Sequence, residues 1–554
     1  MIRFLIVLSL LTCLRLPAQE AAAKLAEQTD KIFAKWDSTV TPGCALSVMK
    51  DGRIIYKRGY GMADLDHDVP ITTQTVFHVA SISKQFTAAA VLLLAQEGKL
   101  SLDDDVHKYI KELPDFGLPI TIRQLMHHTS GLRDQWALLD LAGWRYSLDL
   151  ITDEDVLSLM ERQKELNFKP GEKYLYCNTG FTLLGQIVKR VSGQTLREFT
   201  TSRIFGPLGM TRTHFRDDHA EIVKQVAYGY EEGTGRNVFR LSVTNFDTVG
   251  ATSLLTTVED LANWDENFYH PTVGGSALVE QQLLRGKLNS GKEIDYAAGL
   301  VHGTYRGLKT VDHGGADAGY RAHLIRFPER HFAVACLCNQ AETNPGELAR
   351  KVADVYLAGQ FKEPAPQRAE PSAAPPVTLS AQQAAKWAGM YWEKDEERAW
   401  RIVRDDAKLY LRESEEDRVA LVPQTEKRFQ LGEFPVTLTF DESGMSVGQP
   451  GQEKPDRFER VTEFHPTQEQ LSRYAGDYAS AEIDPIYRIR VEDGRLVLRR
   501  FKAKPSKLSP VIDDYFDGSD GTVHFVRNAA GDVSGFELNR GRVRHFAFKK
   551  VKAS

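Results

Sequence analysis

Apolar positions along this chain keep two rhythms. Short apolar runs at 44–49 and 53–58 flank Asp51-Gly52, the signal of a β-hairpin. Residues 21–36 and the Ala/Leu-rich stretch 85–96 read as helices, and Leu183, Leu184, Ile187 and Val188 recur at helical spacing. The region 81–268 is expected to be mainly helical with long loops. Strands are expected again at 296–300, 308–311, 322–327 and 332–338, before a final helix at 347–357. Strands from both ends with helices between them predict an α+β domain: an antiparallel sheet beside a helical lobe.

Past residue 363 the pattern changes. A Pro/Ala-rich stretch at 363–378 has few large apolar residues and reads as a linker. Beyond it the chain repeats itself at an offset of 87. Trp387-Ala388-Gly389-Met390-Tyr391 matches Tyr474-Ala475-Gly476-Asp477-Tyr478, and Pro423, Phe429 and Gly444 match Pro510, Phe516 and Gly531. Each copy alternates apolar and polar residues between turn signals and has the length of a closed eight-stranded antiparallel barrel. The predicted organisation is a leader at 1–18, a first domain at 19–362, the linker, and two small β-barrels at 379–463 and 464–554.

Composition narrows the picture. The 554 residues are 42% hydrophobic, ample for a large core, and a net charge of −5 gives no electrostatic reason to expect nucleic acid. Met1-Ile2-Arg3 followed by an apolar run to Leu14 has the form of a signal peptide, too short for a comfortable membrane span. Periplasmic or secreted residence is expected. Thr12 is a poor residue to precede a lipid-modified Cys13, so a lipoprotein anchor is not expected. Cys44, Cys177, Cys336 and Cys338 show no dense disulfide spacing and no zinc pattern. Cys177 reads as a small buried hydrophobe, and His127-His128 as structural hydrogen-bonding residues rather than metal ligands.

Candidate chemistry starts at Ser81-Ile82-Ser83-Lys84, where an extended segment (75–79) gives way to the helical one. Residues three apart on a helix share a face, so the Lys84 amine can approach the Ser81 hydroxyl. Taken alone the serine reads more readily as a helix cap than as a nucleophile. A second S-x-x-K, Ser47-Val48-Met49-Lys50, falls on a strand, where positions i and i+3 face opposite ways. Two later motifs change the balance: Tyr176-Cys177-Asn178, and His313-Gly314-Gly315-Ala316 ahead of Gly319-Tyr320. A phenol, an amide and an imidazole complete what acyl transfer requires.

In this order the three motifs resemble those of the serine β-lactamase and penicillin-binding-protein-like hydrolases. The likeness is strongest to the branch of class C β-lactamases, D-aminopeptidases, DD-carboxypeptidases and family VIII esterases. Leu125-Met126-His127-His128-Thr129-Ser130-Gly131-Leu132, Phe181-Thr182-Leu183-Leu184-Gly185 and Thr256-Thr257-Val258-Glu259-Asp260-Leu261-Ala262 resemble further segments of that family. The resemblance implies a β-lactamase/transpeptidase-like fold over about residues 25–360. It implies Ser81 as nucleophile, Lys84 as base or proton relay, and Tyr176 as the base that then protonates the leaving group. Asn178 would meet the substrate amide, and the N–H groups of Ser81 and Ala316 would form the oxyanion hole; the glycines of the motif, Gly315 among them, would let substrate backbone lie close to the strand edge. His313 stands where other members carry lysine. Imidazole titrates near neutrality, so a conditional charge is expected there.

The expected function is that of an exported serine hydrolase, working through an acyl-enzyme without metal or cofactor. Its substrate would be a small molecule or short peptide: a D-amino-acid peptide or a short-chain ester. The alternatives are a non-catalytic penicillin-binding-like module that recognises cell-wall peptides, and a β-lactamase. The sequence leaves the oligomeric state open.

Overall fold

The computed structural model describes residues 19–363, 377–412, 418–432, 434, 436–449 and 454–552. The expected leader at 1–18 lies outside these residues, as does most of the expected linker at 363–378. The chain divides into two compact units. One comprises residues 1–136 and 145–366; the other comprises 137–144 and 367–554.

The first unit is built on a six-stranded antiparallel sheet. Its strands are β1 (Cys44–Lys50), β2 (Arg53–Tyr60), β3 (Val301–Tyr305), β4 (Leu308–Asp317), β5 (Tyr320–Phe327) and β6 (Phe332–Cys338), in the order β3-β4-β5-β6-β1-β2. The hairpin at Asp51-Gly52 forms, with both residues at positive φ. Cys44, Leu46 and Val48 on one face of β1 join a core with Phe33, at the end of the N-terminal helix, Trp36, in the 3₁₀ turn Ala34–Trp36, and Leu348 and Val352 of the helix Pro345–Tyr356. The other face is buried as well: the Ser47 hydroxyl donates to the Val258 carbonyl at 2.9 Å. The decoy serine is thus a structural residue of a strand covered on both sides.

On that second face lies the helical lobe. Helix α1 (Ser83–Gln96) is buried from Ser83 to Leu94, which accounts for its apolar character all round. Helix α2 (Asn178–Ser192) packs against it and stops at Gly193, whose φ of 75° ends the helix in a left-handed turn.

The strand expected at 296–300 is not present. Strand β3 begins at Val301, and residues 296–300 form a tight turn. Gly299, at φ 74°, lies so close to α1 that a Cβ there would fall 2.6 Å from the Lys84 carbonyl carbon. An apolar run that must bring its backbone against a helix cannot extend as a strand. Strand β4 in turn is longer than expected and runs through the His313-Gly314-Gly315-Ala316 motif.

The second unit contains two closed eight-stranded antiparallel barrels. The first runs from Gly389–Glu393 to Asp456–Val461, the second from Gly476–Ala479 to Val543–Val551. The offset of 87 carries over into the structure. Helices Ala381–Trp387 and Gln468–Tyr474 precede the barrels, each opened by a reciprocal cap, Ser380 with Gln383 and Thr467 with Gln470. Tyr391 donates to the Trp387 carbonyl at 2.8 Å, and Tyr478 to the Tyr474 carbonyl at 2.5 Å.

Candidate active site

Ser81 sits in a 3₁₀ turn, Ala80–Ile82, that runs directly into α1. It caps nothing: neither the turn nor the helix carries a side-chain N-cap bond. The residue before it, Ala80, holds a φ of 47°, an uncommon conformation for a side chain with a Cβ. Ser83 secures this turn, its hydroxyl donating to the Ala80 carbonyl at 2.5 Å and accepting from the Leu254 N–H at 3.0 Å. Ser81 is left half-buried, while Lys84 below it is fully buried.

The Lys84 amine donates to Ser81 Oγ at 3.0 Å, to Asn178 Oδ1 at 2.9 Å and to the Ala251 carbonyl at 2.6 Å. It lies 5.0 Å from the centre of the Tyr176 ring. Asn178 opens α2 with its amide fixed at both ends. Its backbone N–H and Nδ2 both donate to Asp134 Oδ2, at 2.7 and 2.9 Å, which turns Oδ1 towards Lys84.

The loop ahead of Asp134 positions Tyr176. His128, at φ 57°, accepts the Cys177 N–H on Nδ1 at 3.1 Å, and its carbonyl accepts the Leu175 N–H at 3.0 Å. The two rings, His128 and Tyr176, lie 4.2 Å apart. The histidine pair is structural in this sense: burial holds the neighbouring His127 down at about 4. Cys177 is buried, and burial pushes its thiol up to about 12.

Strand β4 brings in the third motif. Strand β3 pairs with it only as far as Asp312, which leaves the edge of 313–317 open on that side. That stretch packs against the Ser81 turn: a Cβ on Gly315 would lie 2.2 Å from the Val79 carbonyl oxygen. Ala316 is exposed, and His313 is buried 6.2 Å, ring to ring, from Tyr176. The expectation of a titrating His313 is corrected here. Its Nδ1 faces the Gly314 carbonyl at 2.6 Å and therefore carries the proton, so Nε2 accepts from the Tyr296 hydroxyl at 3.0 Å. Burial, with the charge of Lys84 acting the same way, holds the imidazole down at about 4. Burial keeps the Tyr296 phenol protonated, well above its ordinary value. A ring enclosed by these bonds is neutral near pH 7 and supplies no fixed positive charge.

The structure thus brings Ser81, Lys84, Tyr176, Asn178, His313 and Gly315 into one place. Sequence reasoning missed Asp134, Tyr296 and Ala251. Asp134 follows a recognisable loop but carries no spacing signal of its own, Tyr296 was hidden in an apolar run, and Ala251 acts through its carbonyl. Sequence reasoning also missed a disulfide joining Cys44 to Cys338, which face each other across β1 and β6. Two sulfur or carboxylate groupings could approach a metal among the described residues. In the first, Cys44, Cys336 and Cys338, two members are already bonded to each other. In the second, Asp218 and His219 are exposed, while Asp247 is half-buried at the end of the short strand Phe246–Asp247.

Comparison with known proteins agrees with this geometry. A family model described as Beta-lactamase matches residues 28–358. Penicillin-binding protein 4* of Bacillus subtilis is 30% identical over 403 residues, covering 70% of this chain and 88% of that protein. A D-aminopeptidase of Cereibacter sphaeroides is 30% identical over 372 residues, 67% of each chain. Among solved structures, the octameric penicillin-binding protein homologue from Pyrococcus abyssi superposes with a TM-score of 0.57 at 24% identity, over 86% of this chain and 97% of that one. At that identity the likeness concerns the fold. With a family match over more than half its length, and a relative of this similarity aligned over most of its own, the chain belongs to the beta-lactamase family and is a serine hydrolase.

Proposed function

We propose that Ser81 attacks small amides or esters through an acyl-enzyme, and that the preferred substrates are D-aminoacyl amides or short-chain esters. The arrangement around Lys84 carries this reading. Two of its partners, the Ala251 carbonyl and Asn178 Oδ1, can only accept, so they hold two of its N–H groups. The third faces Ser81 Oγ, 3.0 Å away, so once Lys84 gives up that proton its lone pair is directed at the Ser81 hydroxyl. In the acylation step the Ser81 proton passes to Lys84 as Oγ bonds to the substrate carbonyl carbon. The carbonyl oxygen becomes an oxyanion facing the N–H groups of Ser81 and Ala316. As it collapses, the C–N or C–O bond breaks, the leaving group takes a proton from Tyr176, and Lys84 passes the Ser81 proton on to Tyr176, so that both groups return to their starting state. Water repeats the sequence to release the acid. Asn178 would direct its second amide hydrogen to the substrate.

The substrate class follows from His313. A neutral imidazole with both nitrogens engaged suits a substrate that presents no carboxylate at that wall, unlike a penicillin or a D-Ala-D-Ala terminus. A D-aminopeptidase stands among the relatives and a D-amino acid amidase among the similar structures. Export through the N-terminal segment is part of the proposal, supported by the buried Cys44–Cys338 bridge, since such bonds persist in oxidising compartments.

The test is covalent labelling by a fluorophosphonate, with turnover of a p-nitrophenyl ester, D- and L-alanine p-nitroanilide and a chromogenic cephalosporin. Labelling lost in Ser81→Ala, with the D-anilide or ester turned over faster than the cephalosporin, is expected. An unlabelled protein with no turnover would reassign it as a binding module.

A further inference from the structure

We propose that Asp317 is a positioning residue for this reaction: its carboxylate clasps the strand that carries Ala316 to the strand that leads into Ser81, and so sets the separation of the two N–H groups facing the oxyanion. The inference rests on the acyl-enzyme reading above and adds to it a residue outside the three motifs.

Asp317 ends β4, one residue beyond Ala316. His78 ends the short strand Phe77–His78, three residues before Ser81. The two side chains meet at 2.9 Å, His78 Nε2 to Asp317 Oδ2. The Thr252 hydroxyl donates to the same oxygen, and Thr252 adjoins Ala251, whose carbonyl holds Lys84. The Tyr146 hydroxyl donates to Oδ1. His78, Thr252 and Asp317 are all buried. One carboxylate therefore gathers the nucleophile strand, the oxyanion strand, the loop that supports Lys84, and Tyr146 from a fourth segment.

A purely structural contact would not need this chemistry. A buried carboxylate is costly unless its lone pairs are met, and an apolar strand end would pack here without that cost. Burial pushes the Asp317 carboxyl up, yet the bonds from His78, Thr252 and Tyr146 outweigh it and hold the group below the usual carboxylate range. The clasp is thus ionised and directional. Two of its donors, His78 and Thr252, come from segments that carry, within three residues, the nucleophile and the acceptor for Lys84. A displacement of about 1 Å at such a site costs on the order of a hundredfold in rate.

The experiment compares the full-length parent with His78→Leu, His78→Gln, Asp317→Asn and Thr252→Val. Fluorophosphonate titration counts working sites, and the readouts are kcat per site and KM for a p-nitrophenyl ester, with inhibition by phenylboronic acid, whose adduct imitates the tetrahedral intermediate. In His78→Leu and Asp317→Asn, kcat per site is expected to fall about a hundredfold with KM within about threefold, and boronate affinity to fall in parallel. Gln places an amide N–H where Nε2 stood, so His78→Gln should recover to within about fivefold of the parent. Thr252→Val, which removes one donor and leaves the fold, should lose about tenfold. Values of kcat per site within threefold of the parent in His78→Leu, or in Thr252→Val should the first variant not fold, overturn the clasp. Equal losses in His78→Leu and His78→Gln overturn it too, because bulk rather than a donor would then be what matters. A parent that is not labelled at Ser81 removes the hydrolase reading itself; a labelled parent with unaffected variants removes only the clasp.

Discussion

His313 has lost the property that makes histidine useful as a switch. Both ring nitrogens are bonded within the protein, to Gly314 and Tyr296, and the imidazole is held down at about 4. An unfolded histidine takes its proton near pH 6.5. Between those values the unfolded chain binds the proton first, so stability falls as the pH drops from about 6.5 to about 4 and is level below that. The single residue accounts for about 3 kcal/mol of this slope. Urea midpoints measured from pH 7 to 4 should show the acid slope reduced in His313→Gln relative to the parent. The pH–rate profile of the parent should carry no limb from His313 between pH 5 and 8. The same residue-scale logic explains Asn178, whose orientation is settled by Asp134 before Lys84 reaches it.

At the scale of elements, the reaction depends on how closely one strand approaches one turn. Gly314 and Gly315 look equivalent in the sequence, but their surroundings differ. A Cβ on Gly315 would meet the Val79 carbonyl oxygen at 2.2 Å, and backbone cannot give way as a side chain can. A Cβ on Gly314 would meet the His323 ring at 3.3 Å, which asks a few tenths of an ångström from a side chain. Gly315→Ala should therefore push β4 off the Ser81 turn and lower kcat about a hundredfold, while Gly314→Ala costs less than about tenfold. Steady-state kinetics on both variants, with melting temperatures beside them, checks the contrast. The disulfide belongs to this scale as well. It joins neighbours in the sheet that are 294 residues apart in the chain, so spacing arguments had nothing to act on.

At the scale of the molecule, the second unit is more than the repeat. Residues 137–144 belong to it although they lie far upstream. Tyr487 donates to the Leu141 carbonyl at 2.9 Å, and Asp140 pairs with Arg500 at 3.1 Å and Arg540 at 2.8 Å. Arg500 also pairs at 2.9 Å with Asp520, and both side chains are almost wholly buried, 6% and 5% exposed. Asp520 keeps a second partner, Arg540, at 2.7 Å, so Arg500→Ala removes one of two cations and should destabilise the full-length protein by about 1–2 kcal/mol in urea denaturation. A loss above about 3 kcal/mol would mean that Arg540 does not compensate Asp520 by itself. The barrels themselves were legible because copies in register repeat their strand pattern residue for residue. The attachment of 137–144 was not, because that stretch resembles any short amphipathic helix.

What the sequence determined by itself was whatever depends on near neighbours: the Asp51-Gly52 hairpin, the helical face shared by Ser81 and Lys84, the duplicated barrels. Periodicity and turn chemistry act over a few residues, and a one-dimensional pattern records them. Only the tertiary structure decided which groups meet from afar. It set Tyr296 against His313, Asp134 under Asn178, Cys44 opposite Cys338 and Asp317 against His78, because those meetings follow from how finished elements pack, and packing is a property of volumes and surfaces rather than of spacing along the chain.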